Sequence, residues 1–510
     1  MRKYGFWILF ILIIVGFSDS VFLTYEYDTL SSVGCPVSPL INCLAVTSSK
    51  YSQIAGMPLA LLGMFYYVFL FFLLMKKNKL FTSLLLVTTL FGVLFSSYLI
   101  YVQAFLIGLF CLYCLLSALV SFLIFGFSFW FFRKESKTLI LDLGGYFYKY
   151  IAKPILFLID PEVAHINMVL LGEKIFKNKV VVAIFRKIHV KKFPRLRQKI
   201  KDINFSTPIG LAAGFDYEGR LTQVLPYIGF GFGTVGTVTN GSYEGNPKPR
   251  LGRLPKSASL MVNKGFKSLG AGIISERLSK LKFGYPVGIS IGRTNSKILK
   301  TVDSSIVDIV SAFKTFEKNK INSSYYELNI SCPNLIHGSV SFYPLANLKK
   351  LLLATDKLRL KKPIFIKMPI DQTNRHTKNM LAEICKHKIA GVILGNLQTN
   401  TKDKSVHKDE RKKYKVGKLS GKPTQKRSNE LIKLAYKNYG DKLTIIGCGG
   451  VFSVEDAWAK FESGATLVQL ITGMIFEGPQ LISQINEGLN EMFVRKGFKN
   501  IAEVIGSNVD

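Results

Sequence analysis

Acidic residues are scarce in this sequence. The chain of 510 residues has 67 Lys and Arg but only 33 Asp and Glu, so its formal net charge is +34. Beyond residue 135 the three cysteines, Cys332, Cys385 and Cys448, are scattered, which excludes a disulfide framework or a zinc-ligand spacing there. No cluster of His, Asp and Glu indicates a metal site. The basic excess is compatible with an anionic membrane surface, a nucleic acid or an ordinary solvated surface.

Charge is nearly absent from the first 135 residues, which hold eight Lys and Arg and four Asp and Glu. Four apolar runs there, at 5–24, 56–75, 80–100 and 105–132, are long enough to cross a bilayer as helices. The first run is not a cleaved signal peptide, because further spans follow and no small-residue cleavage site leads into a soluble domain. We therefore expect a four-helix transmembrane bundle over residues 1–135.

Basic residues flank these runs asymmetrically. By the positive-inside rule both ends of the bundle are cytoplasmic, the loop that contains Cys35 and Cys43 is outside, and everything after residue 135 is cytoplasmic. The flanking residues are Arg2, Lys3, Lys76, Lys77, Lys79, Arg133 and Lys134. The predicted location is the inner (plasma) membrane, with several spans.

Two cysteine pairs fall on the outer side of this bundle. Cys35 and Cys43 lie in the outer loop, and Cys111 and Cys114 form a Cys-Leu-Tyr-Cys motif near the outer end of the fourth run. Cys-x-x-Cys spacing on a helix places both sulfurs on one face, where thiolate and disulfide can interconvert. One pair can then exchange electrons with the other by thiol–disulfide exchange.

Residues 5–132 resemble the vitamin K epoxide reductase family, including its bacterial disulfide-forming members. The resemblance rests on the outer-loop cysteines eight residues apart, on residues 52–63 and on the Cys111/Cys114 motif. It implies that Cys35 and Cys43 relay electrons from partner thiols to Cys111 and Cys114, which reduce a quinone bound among the helices. It also implies a separate thioredoxin-like partner outside the cytoplasm.

Residues 136–205 form a junction with near-helical spacing of apolar residues and strongly basic flanks. Such faces suit helices at a membrane surface, although two helices packed on the next domain would show the same pattern. Residues 206–510 form the third domain. Eight short apolar runs there, each ending in Gly, Asn, Ser or Pro, mostly alternate with helical stretches, which predicts an α/β TIM (β/α)₈ barrel.

Chemistry-bearing residues cluster at the predicted carboxyl ends of these strands, where barrel enzymes place their active sites. The hexapeptide at 329–334 sets the Cys332 thiol between two asparagines, and Lys367 ends the fifth strand. Glycine-rich turns follow the seventh and eighth strands, where such barrels often bind phosphate through backbone N–H groups. Flavin mononucleotide (FMN) is the expected occupant, with Lys367 stabilising negative charge on its reduced ring.

Residues 146–490 resemble the class 2 dihydroorotate dehydrogenases, membrane-associated flavoenzymes of de novo pyrimidine biosynthesis that reduce quinone. The motifs are at 157–165, 208–214, 236–239, 245–250, 329–334, 419–421 and 473–479. The resemblance implies that Asn329, Asn334 and Asn396 bind the pyrimidine, with Tyr217 in the same pocket, and that Cys332 is the base. It assigns the flavin to Ala213, Gly214, Thr237, Asn329, Lys367, Gly421, Gly449, Gly450 and Thr472.

The chain departs from that family at several positions. Cys332 replaces the usual serine base of class 2, and Tyr217 stands where the family has a substrate-binding lysine. Val262 replaces an asparagine with Asn263 one step away, and the remaining departures are at Ser290, Leu335 and Leu397. The true pyrimidine is therefore left open.

Our interpretation is a fusion of two quinone-linked oxidoreductases. The barrel oxidises (S)-dihydroorotate, or a related dihydropyrimidine, with ubiquinone or menaquinone as acceptor and without a nucleic-acid partner. One alternative is a dihydrouridine-synthase-like barrel acting on RNA through the basic run 402–418. Another is a degenerate barrel with thiol oxidation as the only activity.

Overall fold

The computed structural model describes residues 3–29, 35, 37–76, 78–336 and 340–509. Arg2 and Lys77, two of the basic residues used to predict the topology, lie outside the described residues. The chain divides into two compact units, Met1–Tyr146 and Phe147–Asp510. The first unit extends past residue 135 because helix α6, Arg133–Phe147, pairs Asp142 with Lys79 at 2.8 Å.

The first unit is helical. Three of its described helical segments are long and apolar enough to cross a membrane: Tyr4–Thr29, Lys79–Ile107 and Leu112–Phe131. The predicted span at 56–75 is a 17-residue helix, Leu59–Met75, so the count of four spans stays a prediction. The helices before α6 are α1 Lys3–Thr29, α2 Cys43–Thr47, α3 Leu59–Met75, α4 Lys79–Tyr101 and α5 Leu112–Phe131.

The predicted boundary between the last two spans was wrong. α4 continues as a π-helical segment, Val102–Ile107, and ends at Gly108, which is left-handed with φ 75°. α5 begins only at Leu112. Hydropathy does not mark this break, because the residues on both sides of the turn are equally apolar.

Packing in this unit joins α1, α3 and α5 through buried side chains such as Leu9, Leu70 and Ile124. Large apolar side chains on the outer faces are exposed, among them Phe65 and Leu119. A helix bundle that is apolar on its outer surface suits lipid rather than water.

The second unit contains a closed barrel of eight parallel strands, as predicted. In chain order the strands neighbour one another around the ring, and the eighth pairs with the first. Every strand residue but one is buried, since the inner face packs in the barrel and the outer face under helices. The strands are β1 Ile209–Leu211, β2 Phe232–Val238, β3 Val287–Ile291, β4 Tyr325–Asn329, β5 Ile364–Met368, β6 Gly391–Leu394, β7 Thr444–Cys448 and β8 Leu467–Leu470.

A hairpin of Gln198–Ile200 and Ile203–Phe205 precedes β1. Phe205 is buried in the cluster that fills the barrel interior, with its ring 5.3 Å from that of Phe232. The amino-terminal end of the barrel is therefore packed, which leaves the carboxyl end for a site.

Short helices replace a linker at the junction, as predicted. A π-helical turn, Tyr148–Ala152, is followed by α7 Lys153–Leu158, α8 Pro161–Ile175 and α9 Lys179–His189. Asp160 caps α8 by accepting from the N–H groups of Glu162 and Val163. The remaining helices are α10 Ala271–Ser279, α11 Val302–Lys318, α12 Leu345–Asp356, α13 Asn374–Ile384, α14 Gln425–Tyr439, α15 Val454–Glu462, α16 Thr472–Glu477 and α17 Leu481–Lys496.

A small antiparallel sheet of Leu251–Leu254, Ser259–Val262 and Lys418–Leu419 lies beside the carboxyl end of the barrel. The basic run 402–418 packs on this sheet, with Val406 and Tyr414 in one apolar cluster with Met261. Glu410 accepts hydrogen bonds from Ser257. The segment is thus anchored to the sheet by a few buried side chains, while most of its lysines are exposed.

Candidate active site

One cavity of about 170 Å³ brings together every residue predicted for the barrel site. It lies at the carboxyl ends of the strands, because the site residues occupy the last strand positions or the turns that follow. The predicted residues in its lining are Ala213, Gly214, Tyr217, Thr237, Asn329, Cys332, Asn334, Lys367, Asn396, Gly421, Gly449, Gly450 and Thr472.

Glycine turns form one side of the cavity. Because glycine has no side chain, the backbone of these turns is open to the cavity. Gly449 and Gly450 have φ of +98° and +72°, and a Cβ at Gly450 would lie 2.3 Å from Gln425 Cβ. Consecutive turn glycines of this kind present backbone N–H groups as an anion cradle. The hydroxyls of Ser420 and Thr472, 2.9 Å apart, border the same region.

A hydrogen-bonded row of polar side chains crosses the cavity floor. Asn329 Nδ2 donates to Thr237 Oγ1 at 2.8 Å, and Thr237 Oγ1 lies 3.0 Å from Ser290 Oγ. Ser290 itself does not line the cavity. It supports Thr237 from below, so the serine that departs from the family pattern still belongs to the site's hydrogen-bond network.

Lys367 places a buried ammonium beside this row. The lysine pairs in register with Asn329 on the adjacent strand and is only 4% exposed. Its ammonium donates no hydrogen bond to any other residue that the structure describes. The nearest countercharge is Glu327, whose pKa burial raises and the Lys367 charge lowers. A buried ammonium without an acceptor is costly, so its place in a cavity indicates a bound acceptor.

Cys332 faces the same space from the turn after β4. Burial raises the pKa of its thiol to about 11, and the Asn334 N–H, Arg293 and Lys367 limit the rise. The thiol is therefore mostly protonated at neutral pH. Cys332 can accept a proton from the substrate only after its thiol has ionised to the thiolate.

Two asparagines border the thiol. Asn334 Nδ2 donates to the Val262 carbonyl at 2.9 Å, and Asn396 Nδ2 donates to the Ser331 carbonyl at 3.0 Å. Both amides are held by backbone, and both line the cavity. Asn263 does not line it, because its amide faces the Pro247 and Pro249 carbonyls instead.

These groups fit flavin mononucleotide. The backbone N–H groups of the glycine turns can bind a phosphate, and the buried Lys367 ammonium can bind the electron-rich edge of a ring. Asn329 and Thr237 add donors and acceptors on the floor. All of these groups line one cavity, which the Cys332 thiol also borders.

Two residues were missed as members of the site. His165 on α8 lines the cavity with its ring 5.6 Å from that of Tyr217, and burial with the nearby Lys264 lowers its pKa to about 4. Lys264 also lines the cavity, with Nζ 4.6 Å from the centre of the Tyr217 ring. His165 falls within the motif at 157–165, whereas no sequence pattern around Lys264 predicts a site residue.

The first unit has a thiol site of its own. Cys35 and Cys43 form a disulfide, and Cys111 and Cys114 are free thiols. All four belong to one apolar cluster. The Cys111 sulfur accepts a hydrogen bond from the Cys114 N–H at 3.2 Å.

Backbone pairing brings the two cysteine pairs together. The Asn42 N–H donates to the Phe110 carbonyl and the Phe110 N–H to the Leu40 carbonyl, at 3.0 and 2.8 Å. Cys114 also lines a cavity of about 410 Å³, which is mostly apolar with polar groups from Gln103 and Tyr67. This arrangement can carry out thiol–disulfide exchange next to a space for an apolar molecule.

Known proteins resemble both parts of the chain. The family model described as Dihydroorotate dehydrogenase matches residues 195–493, and that of the Vitamin K epoxide reductase family matches residues 7–129. The dihydroorotate dehydrogenase (quinone) of Trichodesmium erythraeum is 34% identical over 364 residues, which cover 68% of this chain and 94% of that protein. The corresponding protein of Buchnera aphidicola is 37% identical over 358 residues, covering 67% and 99%.

Solved structures agree with these relatives. The crystal structure of the Eimeria tenella enzyme (DHODH) in complex with ferulenol superposes with a TM-score of 0.60 at 25% identity, and it covers 68% of this chain and 96% of that one. The ligand-free structure gives 0.59, with coverages of 68% and 99%. Both resemblances found in the sequence are thereby confirmed, and the chain belongs to the dihydroorotate dehydrogenase family, with a vitamin K epoxide reductase-like segment fused ahead of it.

Proposed function

We propose that the barrel oxidises (S)-dihydroorotate to orotate with a quinone as electron acceptor. The observation that carries this proposal is the convergence of Cys332, three asparagines, Lys367 and the glycine turns on one cavity. The quinone-dependent relatives, which this chain covers nearly completely, support the same reaction.

In this mechanism the asparagines orient the dihydropyrimidine ring. The Nδ2 groups of Asn334 and Asn396 are fixed by backbone carbonyls. The Asn334 oxygen, and the second lone pair of the Asn396 oxygen, which already accepts from the Leu397 N–H at 2.9 Å, can therefore accept from ring N–H groups at little entropic cost. Cys332 then takes a proton from C5 of the ring as the double bond forms. Since the Cys332 thiol is mostly protonated at neutral pH, it must first lose its own proton to solvent before it can act as the base.

A bound flavin mononucleotide would supply the two-electron redox chemistry that connects hydride loss at C6 of the dihydropyrimidine with reduction of the quinone. Ala213, Gly214, Gly421, Gly449, Gly450 and Thr472 would hold it, with Asn329 and Thr237 against the ring. The Lys367 ammonium holds the negative charge that develops there. Because this cation has no other acceptor among the described residues, its charge is available for that role.

The quinone side of the barrel is assigned to the junction helices. α8 and α9 carry exposed apolar side chains such as Ile166, Leu170 and Val180, beside basic residues. We assign them to the surface of the inner membrane, with the barrel in the cytoplasm. His165 links α8 to the cavity, since its Nε2 lies 2.8 Å from the Phe215 carbonyl oxygen.

A second activity is proposed for the first unit. The Cys111 and Cys114 thiols are oxidised to a disulfide, and their two electrons and two protons convert a quinone in the 410 Å³ cavity to quinol. Thiols of a thioredoxin-like partner outside the cytoplasm reduce the Cys35–Cys43 disulfide and become a disulfide themselves. The resulting Cys35 and Cys43 thiols are then re-oxidised by exchange with the Cys111–Cys114 disulfide, which returns Cys111 and Cys114 to thiols. The quinone-dependent relatives favour dihydroorotate oxidation over the RNA-modifying alternative.

The experiment is a turnover assay of the purified full-length protein with dihydroorotate and a soluble quinone. We expect turnover in the wild type and a loss of at least about 100-fold in Cys332→Ala, the usual size of a general-base contribution. Lys386→Ala, an exposed surface change, is the control. Equal rates in the wild type and Cys332→Ala, or no turnover in the wild type, would contradict the proposal.

A further inference from the structure

The substrate of the proposed reaction carries a carboxylate, and the cavity contains a second buried cation beside Lys367. Lys264 is 5% exposed and lies in the cavity lining close to Cys332, Asn334 and Tyr217. Its Nζ is 4.6 Å from the centre of the Tyr217 ring, whose face stabilises a cation only in part. No hydrogen bond of this ammonium joins it to another residue that the structure describes.

The nearest carboxylate does not account for Lys264. Glu162 interacts with it electrostatically, yet Glu162 already pairs with Arg250 at 3.7 Å and with Lys267 at 3.5 Å. Within the described part of the chain, no carboxylate lies within 4 Å of the Lys264 ammonium. Burial lowers the pKa of Lys264 to about 8, so it is still mostly protonated at neutral pH. The Lys264 ammonium is thus a buried charge that donates no hydrogen bond to any of the described residues and faces the cavity.

The backbone fixes this lysine in place. Gly265 and Phe266 both have φ of +64°, and a Cβ at Gly265 would lie 2.4 Å from Asn246 Oδ1. Asn246 Nδ2 in turn donates to the Asn334 carbonyl at 2.9 Å. With the bond from Asn334 Nδ2 to the Val262 carbonyl, the Lys264 turn is tied to the turn that carries Cys332.

We propose that Lys264 supplies the cation that binds the carboxylate of the dihydropyrimidine, in the space beside Tyr217. This inference rests on the proposed function, and it assigns the substrate class as a ring bearing an anionic group. In this arrangement the Tyr217 ring borders the space for the carboxylate, and the Lys264 ammonium provides the positive charge that binds it. A ring without a carboxylate, such as dihydrouracil, leaves that charge without an acceptor and binds weakly.

The test measures binding directly, by calorimetric titration of the full-length protein in detergent with orotate and with uracil. In Lys264→Met we expect the Kd of orotate to rise at least about tenfold, the loss of one charge-assisted hydrogen bond, while that of uracil stays within about twofold. Lys361→Met, a change at an exposed lysine outside the cavity lining, should leave both Kd values within about twofold.

A second variant makes the test independent of folding defects. Tyr217→Lys combined with Lys264→Met places an ammonium in the same space from the opposite side, and we expect it to restore orotate affinity to within about threefold of the wild type. An unchanged orotate Kd in Lys264→Met, or an equal loss for orotate and uracil, would overturn the proposal. Absence of dihydroorotate turnover in a wild type that binds orotate would instead overturn the proposed function.

Discussion

At the scale of single residues, Cys332 is the proposed base, and its environment determines the pH range in which it can act. Removal from water raises the pKa of the thiol to about 11, while the neighbouring Arg293 and Lys367 charges oppose that rise. A raised pKa means that the thiolate, which is the proton acceptor, is the minor form at neutral pH. Bases poised in this way work faster as the pH increases.

We therefore predict that dihydroorotate-dependent flavin reduction accelerates about tenfold per pH unit between pH 6 and 9. Rapid mixing of anaerobic protein with substrate at each pH measures this directly. In Cys332→Ala the slow residual rate should be flat over the same range. A wild-type profile that levels off below pH 8, or a rising limb that persists in the variant, would show that Cys332 is not the base.

At the scale of elements, the junction helices connect the cavity to the apolar surface. α8 depends on its first turn, where Pro161 follows Asp160 and the Asp160 carboxylate accepts two N–H groups. His165 lies on this helix, and its ring packs against Phe215 at 4.9 Å. Loosening the start of α8 should thus disturb the quinone side before the pyrimidine side.

Asp160→Ala should destabilise α8 by about 1 kcal/mol, the usual cost of losing a side-chain cap. We expect faster amide exchange over Pro161–Ile175 and a higher KM for quinone, with flavin reduction by dihydroorotate unchanged. Thr373→Ala is the matched control, because Thr373 caps α13, a barrel helix outside the junction, by accepting from the His376 N–H. An unchanged KM for quinone in Asp160→Ala, or an equal rise in Thr373→Ala, would refute this assignment.

At the scale of the whole molecule, the chain joins a dihydroorotate dehydrogenase barrel to a vitamin K epoxide reductase-like unit, and a quinone-linked activity is proposed for each. The cysteines of the first unit and the cavity of the second share no residue. Nothing in either site requires electrons to pass from one to the other. The two activities should then be separable by mutation.

Cys111→Ser should abolish thiol oxidation while dihydroorotate oxidation stays within about twofold, since no contact of the barrel cavity is changed. Cys332→Ala should have the converse effect. Thiol oxidation is measured with a reduced dithiol protein and quinone, and dihydroorotate oxidation with the same quinone. Loss of both activities in either variant would mean that the units work as one electron path.

Much of this architecture could be predicted from sequence because it depends on local patterns. Strand ends, glycine turns and the 329–334 motif are read within a few residues, and barrel topology gathers strand ends at one face. Lys264 escaped prediction because its position depends on two left-handed residues and on Asn246, which joins it to the distant Asn334 turn. The break after α4 escaped because apolar residues flank it on both sides.

The most direct measurement of the central claim is the visible absorbance of the purified full-length protein during anaerobic addition of dihydroorotate, followed by quinone. The proposed function predicts a yellow protein that bleaches with dihydroorotate and regains its colour with quinone, while dihydrouracil bleaches it far more slowly. A colourless protein, or a flavin that dihydroorotate does not reduce, would contradict it.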